Sequence, residues 1–265
     1  MNAMTLEAAG RPARGTAMPS GRVLRAYLTE ARYETLRMLR APAFSAVFLS
    51  IPAVLFLLFG AFLFGDAIRA DPKSALFLFM GFSTFGIMGP GMFGFGITIA
   101  MEREQGLLRL KRALPVPPGS VLLAKMLMAL LFAAIIMISM IAAAPLGHMR
   151  LSAGQALSVA LVEILGAAPF CAIGLFIGTW ATGKGAPGFV NLFYLPMIYL
   201  SGLFFPLPKS VQWIALVSPA YHLNQLGRTA VWAPSQGSPV VHVAVLAGVT
   251  VLFTLLAVRR LARVG

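Results

Sequence analysis

The stretch MEREQGLLRLKRALPVPPGS, Met101 to Ser120, decides how this chain is read. It is a charged, helix-capable cluster of Glu, Arg and Lys set between two long apolar segments. Everything around it has the character of membrane-spanning sequence. A membrane chain with one conspicuous charged helix at its surface can use that helix to grip a soluble partner. The loop is therefore a candidate joint through which force enters the bilayer.

Composition supports the membrane setting. Of 265 residues, 59% are hydrophobic and only 11% are charged, against about 25% charged in an ordinary soluble domain. So few charges cannot cover a water-facing surface. The length allows one membrane domain and no second soluble domain of ordinary size. The net charge is +13, but the cations fall in short clusters between apolar runs. Membrane topology demands that pattern, whereas nucleic acid binding would stripe one soluble face. The single cysteine, Cys171, lies in an apolar run, so no internal disulfide can form. No His/Cys/Asp/Glu cluster has metal-ligand spacing, and no metal is expected. Residues 1–41 hold no apolar run of signal-peptide type.

Residues 1–20 read as a disordered tail with cytoplasmic location. Residues 21–41 then carry helical periodicity. Leu24, Tyr27, Leu28, Ala31, Met38 and Leu39 fall on one face, and Arg22, Arg25, Thr29 and Arg32 on another. Such a helix suits either the membrane surface, with its arginines toward anionic headgroups, or a solvated linker. The fold class expected is an all-α membrane protein. Its membrane domain, 42–265, would hold six spans near 43–65, 75–100, 120–144, 153–180, 186–204 and 238–258. With the N-terminus inside, sixteen of the 21 Lys and Arg residues lie on the inner side. Five, Arg69, Lys73, Arg150, Lys209 and Arg228, lie outside. Both termini are then cytoplasmic.

The segment Phe205 to Gly237 falls outside the spans yet is strongly apolar. Two amphipathic pieces flank Ser218-Pro219. Short helices that dip back into the bilayer, or cap the spans, would bury them. The second span is rich in glycine around Pro90, which allows close approach and bending. Gly174 and Gly178 form a GxxxG pair, and Pro196 should kink the fifth span.

Three places look like chemistry. GTWATGKG, Gly178 to Gly185, matches the start of a phosphate-binding loop. It lacks the following Ser/Thr and is preceded by a membrane helix rather than a strand, so a tight cytoplasmic turn is the better reading. Ser201 and His242 lie near the outer ends of the last two spans, where a Ser–His dyad would make an intramembrane serine protease. Ser201 could instead bond a backbone carbonyl. Glu163 is the carboxylate placed well inside a span, at a cost of about 2.5–3.5 kcal/mol. It reads either as a substrate or proton contact, which would suit an ion-coupled secondary transporter, or as a hydrogen-bonded tie between helices.

The order of these features resembles the type-2 permease family of ATP-binding-cassette (ABC) transporters, also called type V exporters. The run Glu102-Arg103-Glu104-Gln105-Gly106, then LLRLKRALP with Pro115, then Leu122 to Lys125, carries one part of the likeness. YLSGLFFPLPKSVQWIALVSPAYHLNQLGR, residues 199–228, carries the other. Leu107 departs from the family, where a Thr is frequent. The resemblance implies a dimerising permease subunit that binds two ABC ATPase subunits, with a second permease copy or paralogue and the lipid bilayer as its other partners and no nucleic acid. It further implies a bacterial inner-membrane exporter of amphiphilic substrates such as drugs, lipids or glycolipids. The chain would bind no cofactor itself; ATP and Mg would sit on the partner ATPase. The coupling residues would be Glu102, Arg103, Glu104, Gly106, Arg109, Lys111, Arg112 and Pro115. Residues 21–41 would be the connecting helix, and 205–237 the re-entrant helices. The first and fifth spans would line the subunit interface. The path or gate would involve Glu163, Pro196, Ser201, Phe204, Phe205, Pro219 and Tyr221.

Overall fold

A computed structural model describes residues 20–113 and 119–264. The expected N-terminal tail, Pro115 and the side chain of Arg112 lie outside the described residues. Within them the chain is helical, with no strand. The chain opens with α1 (Ser20–Leu39) and α2 (Pro42–Leu57), which runs on through a wide π-type turn at Leu58–Leu63. Next come α3 (Gly65–Ala70), α4 (Pro72–Gly89), a second wide turn at Pro90–Gly94, α5 (Phe95–Glu104) and α6 (Leu107–Ala113). Then follow α7 (Ser120–Ala143), α8 (Ala153–Leu165), α9 (Ala168–Trp180) and α10 (Ala186–Leu200). The short α11 (Gln212–Ala215), α12 (Pro219–Ala230) and α13 (Pro239–Val264) complete the described chain.

Five helices are long and apolar enough to cross a membrane: Pro42–Leu63, Lys73–Glu104, Ser120–Ala143, Ala153–Trp180 and Pro239–Arg263. The helix α10 is apolar but shorter, at 15 residues, and holds Pro196 inside it. This is a multi-pass membrane architecture. The third predicted span ends within a residue of α7, because nothing in 120–143 breaks a helix. The fourth, 153–180, coincides with Ala153–Trp180, with a break between α8 and α9 inside it. Pro169 sits in the first turn of α9, and its ring would clash with a carbonyl one turn earlier, so the helix restarts at Ala168. A capping box between Ser152 and Gln155 fixes the start of α8. The Asp71 side chain caps α4 through the Lys73 N–H at 3.1 Å.

The helix α9 is the centre of the bundle, packed between α5 and α13. Gly174 makes that packing possible: a Cβ there would stand 2.6 Å from the Gly91 carbonyl and 2.8 Å from that of Met92. Gly178 faces the Gly96 carbonyl in the same way, at 2.8 Å. The GxxxG pair is thus a backbone-to-backbone seam inside one chain. The outward faces of α2, α10 and α13 are apolar and uncovered, with Val54, Phe62, Leu192, Tyr199 and Val251 exposed.

The first helix presents two different faces. Its inward face is Ala31, Glu34 and Met38, packed toward α7, while Leu24 and Leu28 stay exposed. A buried ion pair, rather than the leucine stripe, sets its rotation.

Candidate functional site

The charged loop is built on a left-handed turn. Gly106 has φ +71°, which a glycine adopts without the Cβ penalty, and this closes α5 and opens α6. The Gly106 carbonyl accepts from the Arg109 and Leu110 N–H groups, starting the new helix at an angle to the old one.

Around this turn the charges pair within the chain. Lys125, on the second turn of α7, is fully buried, and its Nζ donates to the Glu102 carboxylate and the Thr98 hydroxyl, each at 3.0 Å. It also donates to Glu34 of α1. Arg37 bridges the same two carboxylates, at 3.0 Å to Glu102 and 3.2 Å to Glu34. Lys111 of α6 reaches back to Glu30 of α1 at 2.7 Å. One ionic cluster therefore ties α1, α5, α6 and α7 together. Glu102 is only 2% exposed, so its carboxylate faces the chain's own lysine rather than a partner.

The next two residues brace the far side. Arg103 donates to the Thr179 carbonyl and, at 2.7 Å, to the Ala181 carbonyl. These are among the last carbonyls of α9, which lack partners within the helix. Arg260 of α13 donates to the Thr179 carbonyl at 3.2 Å and lies 3.4 Å over the Trp180 ring. Glu104 accepts from the Gly183 N–H at 2.7 Å. In the phosphate-loop look-alike 178–185, then, arginines take the carbonyls and a glutamate takes a glycine N–H where a phosphate would have to sit.

Of the residues assigned to coupling, Glu102, Arg103, Glu104 and Lys111 thus grip this chain, and Gly106 makes the turn. Arg109 and Leu110 remain on the outward face of α6, both exposed. Glu102 is buried against Lys125, whereas Glu104 is exposed and accepts from the Gly183 N–H.

At the opposite end, the residues assigned to the path separate into groups. Glu163 is wholly buried; the Thr84 hydroxyl of α4 donates to its Oε1 at 3.1 Å, and its Oε2 has no hydrogen-bond partner. Ser201 donates to the Met197 carbonyl and pairs with the Ser218 hydroxyl at 2.5 Å. His242 is committed elsewhere, to His222 and the Gln236 carbonyl, so the Ser–His dyad does not form. Ser201 and Tyr221 line a cavity of about 680 Å³ of mixed character, with Trp213, Asn224, Arg228 and Gln236. A second hollow of about 510 Å³ adjoins it through Arg228 and holds Phe204. Pro219 is buried at the first turn of α12, and Phe205 and Pro196 face outward. Burial raises the Tyr221 phenol pKa and lowers that of the Arg228 guanidinium. Sequence reasoning missed the roles of Glu34 and Arg37 and the His222–His242 contact. Only an acid at a buried helical position, Glu34 beside Ala31 and Met38, gave a signal.

The five membrane-length helices and the helical bundle define a multi-pass membrane protein. The family model described as "ABC-2 type transporter" matches residues 25–232, and the chain belongs to that family. It is also 28% identical over 149 residues to "Putative transport permease YvfS" of Bacillus subtilis (strain 168). That match covers 55% of this chain and 61% of the relative, so the likeness spans less than two thirds of that protein.

Proposed function

We propose that the chain is the transmembrane subunit of an ATP-driven exporter of amphiphilic molecules, with ATP and Mg bound and hydrolysed by a separate ABC ATPase. The observation that carries this reading is the braced joint: a helix with an exposed outer face, α6, ionically bonded through Lys111 to α1, which is itself fixed to α5 and α7 by Lys125. A push on such a helix reaches several spans at once. The free docking face is Arg109 with Leu110, an exposed cation beside an exposed apolar side chain.

On this reading α10, with the turn after it, is the remaining crossing of six, and both termini lie in the cytoplasm of a bacterium, at its inner membrane. The exposed apolar faces of α2 and α10 border one cleft, lined by Val47, Ile51, Phe85 and Tyr194, and are the surfaces for a second permease copy. The re-entrant reading of 205–237 draws support from α12, which runs beside α8. Gln155 donates to the Val231 carbonyl at 2.9 Å, while Gly166 lies against Leu223. Eleven residues of α8 separate those contacts, a descent of about 16 Å. An ion-coupled transporter is favoured by one observation, the unpartnered oxygen of Glu163.

The test places a photo-crosslinking residue at position 110 in native membranes. The expected product joins this chain to a polypeptide with ATPase motifs, and Arg109→Glu lowers its yield at least about tenfold, a loss of about 1.4 kcal/mol of contact. Crosslinks to lipid alone, or ATP hydrolysis by the purified single chain, would overturn the proposal.

A further inference from the structure

The geometry points to a single proton held between His222 of α12 and His242 of α13, which latches these helices beside the cavity lined by Ser201 and Tyr221. The two Nδ1 atoms are 2.8 Å apart. Each ring's other nitrogen faces a backbone carbonyl: His222 Nε2 stands 2.8 Å from Leu216 O, and His242 Nε2 stands 2.7 Å from Gln236 O. A carbonyl can only accept, so both Nε2 atoms must carry hydrogens. That leaves two lone pairs facing each other across the Nδ1 gap unless one more proton is present. Three close contacts need three protons, and two neutral imidazoles supply two. The pair as built therefore carries one positive charge, an imidazolium donating to an imidazole.

No acid neutralises that charge from the neighbouring elements. Neither imidazole makes an ion pair or any other hydrogen bond. On α12 itself, Tyr221 stacks edge-on, with ring centroids 5.4 Å from His222 and 6.2 Å from His242, and Arg228 is turned to the Pro234 carbonyl. From α8, Glu163 is bonded to Thr84 of α4. At the start of α4, Asp71 caps its own helix and Lys73 lines the second hollow. The described part of α13 carries no acid.

Leu216 and Gln236, the two carbonyl partners, both line the cavity, and so does Tyr221. The shared proton thus ties together segments that form the cavity wall. Removing it sets lone pair against lone pair at hydrogen-bonding distance. Adding a second sets N–H against N–H. The latch closes over a window of pH and opens on either side. Burial, and then the charge of His242, lower the pKa of His222, working against its bond to Leu216. The lowered pKa disfavours entry of a second proton, so the acid-side opening lies below the ordinary histidine range.

The chain has three histidines, which makes the test direct. Full-length His148→Gln protein, labelled with ¹⁵N-histidine in lipid nanodiscs, leaves only the pair in the spectrum. Near neutral pH, the expected result is three protonated ring nitrogens and a through-bond correlation between the two Nδ1 atoms. That correlation is lost on moving to either side of the window. The His242→Gln variant should also lose the pH maximum in thermal stability that the parent shows. Two neutral rings at every pH from about 5 to about 9, or a parent with no stability maximum, would overturn the latch. Should His242→Gln fail to fold, the spectrum of the parent still decides.

Discussion

Lys125→Met is the sharpest probe of the ionic joint. The substitution keeps the side-chain length and removes the cation from a site with no exposed surface. Glu34 and Glu102 stay buried, at 5% and 2% exposure, and now face each other with Arg37 as their remaining counter-ion. Breaking a buried ion pair from one side costs about 3–5 kcal/mol. At about 2–4 °C per kcal/mol, the midpoint should fall by at least about 6 °C. The chain carries its own reporter, since Cys171 is buried and unpaired, and a thiol-reactive dye labels it only on unfolding. Two controls separate charge from packing. Arg37→Met removes a half-exposed cation and should cost about 0–1 kcal/mol. Adding Glu34→Gln and Glu102→Gln to Lys125→Met removes the stranded charges, and most of the lost stability should return. If Lys125→Met melts within about 1 °C of the parent, or if Arg37→Met falls as far, the joint does not depend on Lys125 as argued.

Two further outcomes follow from other contacts. Gly174→Ala places a Cβ 2.6 Å from the Gly91 carbonyl; it should cost about 1–3 kcal/mol in the same labelling assay, whereas Gly188→Ala, in open space, should cost little. Glu163→Gln keeps an oxygen that can accept from Thr84, so stability should change by less than about 1 kcal/mol and ATP-driven transport in vesicles should persist; abolished transport with intact folding would favour the ion-coupled reading.

How much of this was legible in the sequence differs by feature. The membrane-length helices were readable because hydropathy acts over some twenty residues at a time, and no other solvent accommodates such runs. The break between α8 and α9 was marked by Pro169, yet the surrounding apolar composition masked it, since hydropathy is blind to backbone continuity. The charged loop stood out, but the partners of its charges did not. Glu34 and Lys125 are 91 residues apart, and only the folded chain brings them together. A surface glutamate and a buried one look the same in sequence. The same holds for α1: its leucine stripe, with Leu24 and Leu28, can be read along the sequence, but the ion pair that turns Glu34 inward cannot. The proton-sharing histidines lay beyond reach because their meaning resides in three distances rather than in spacing.

The joint also bears on where the molecule can bend. The segment from Gln105 to α6 leaves α5 at Gly106, but Lys111 ties α6 to α1, and Lys125 ties α1 to α5 and α7. Arg103 and Glu104 add the end of α9 and the turn after it. These bonds cross-link the pieces, so on the proposed reading a displacement of α6 is passed beyond the loop. Flexing must occur further along the spans, where helical hydrogen bonding is interrupted. Two such interruptions exist in the central helices: the wide turn at Pro90–Gly94 between α4 and α5, and the restart at Pro169 between α8 and α9. They adjoin in space, since a Cβ on Gly91 would touch Phe170 and Cys171 at 3.0 Å. Below that level, α5 and α9 are locked by the glycine seam. Above it, α4 and α8 pack on each other, are bonded by Thr84–Glu163 and share contact with α7 and α12. Two adjacent helix breaks give these central helices a place to bend, alongside the unbroken α7 and α13. On the proposed reading it lets work delivered at α6 reappear at the cavity beside α12.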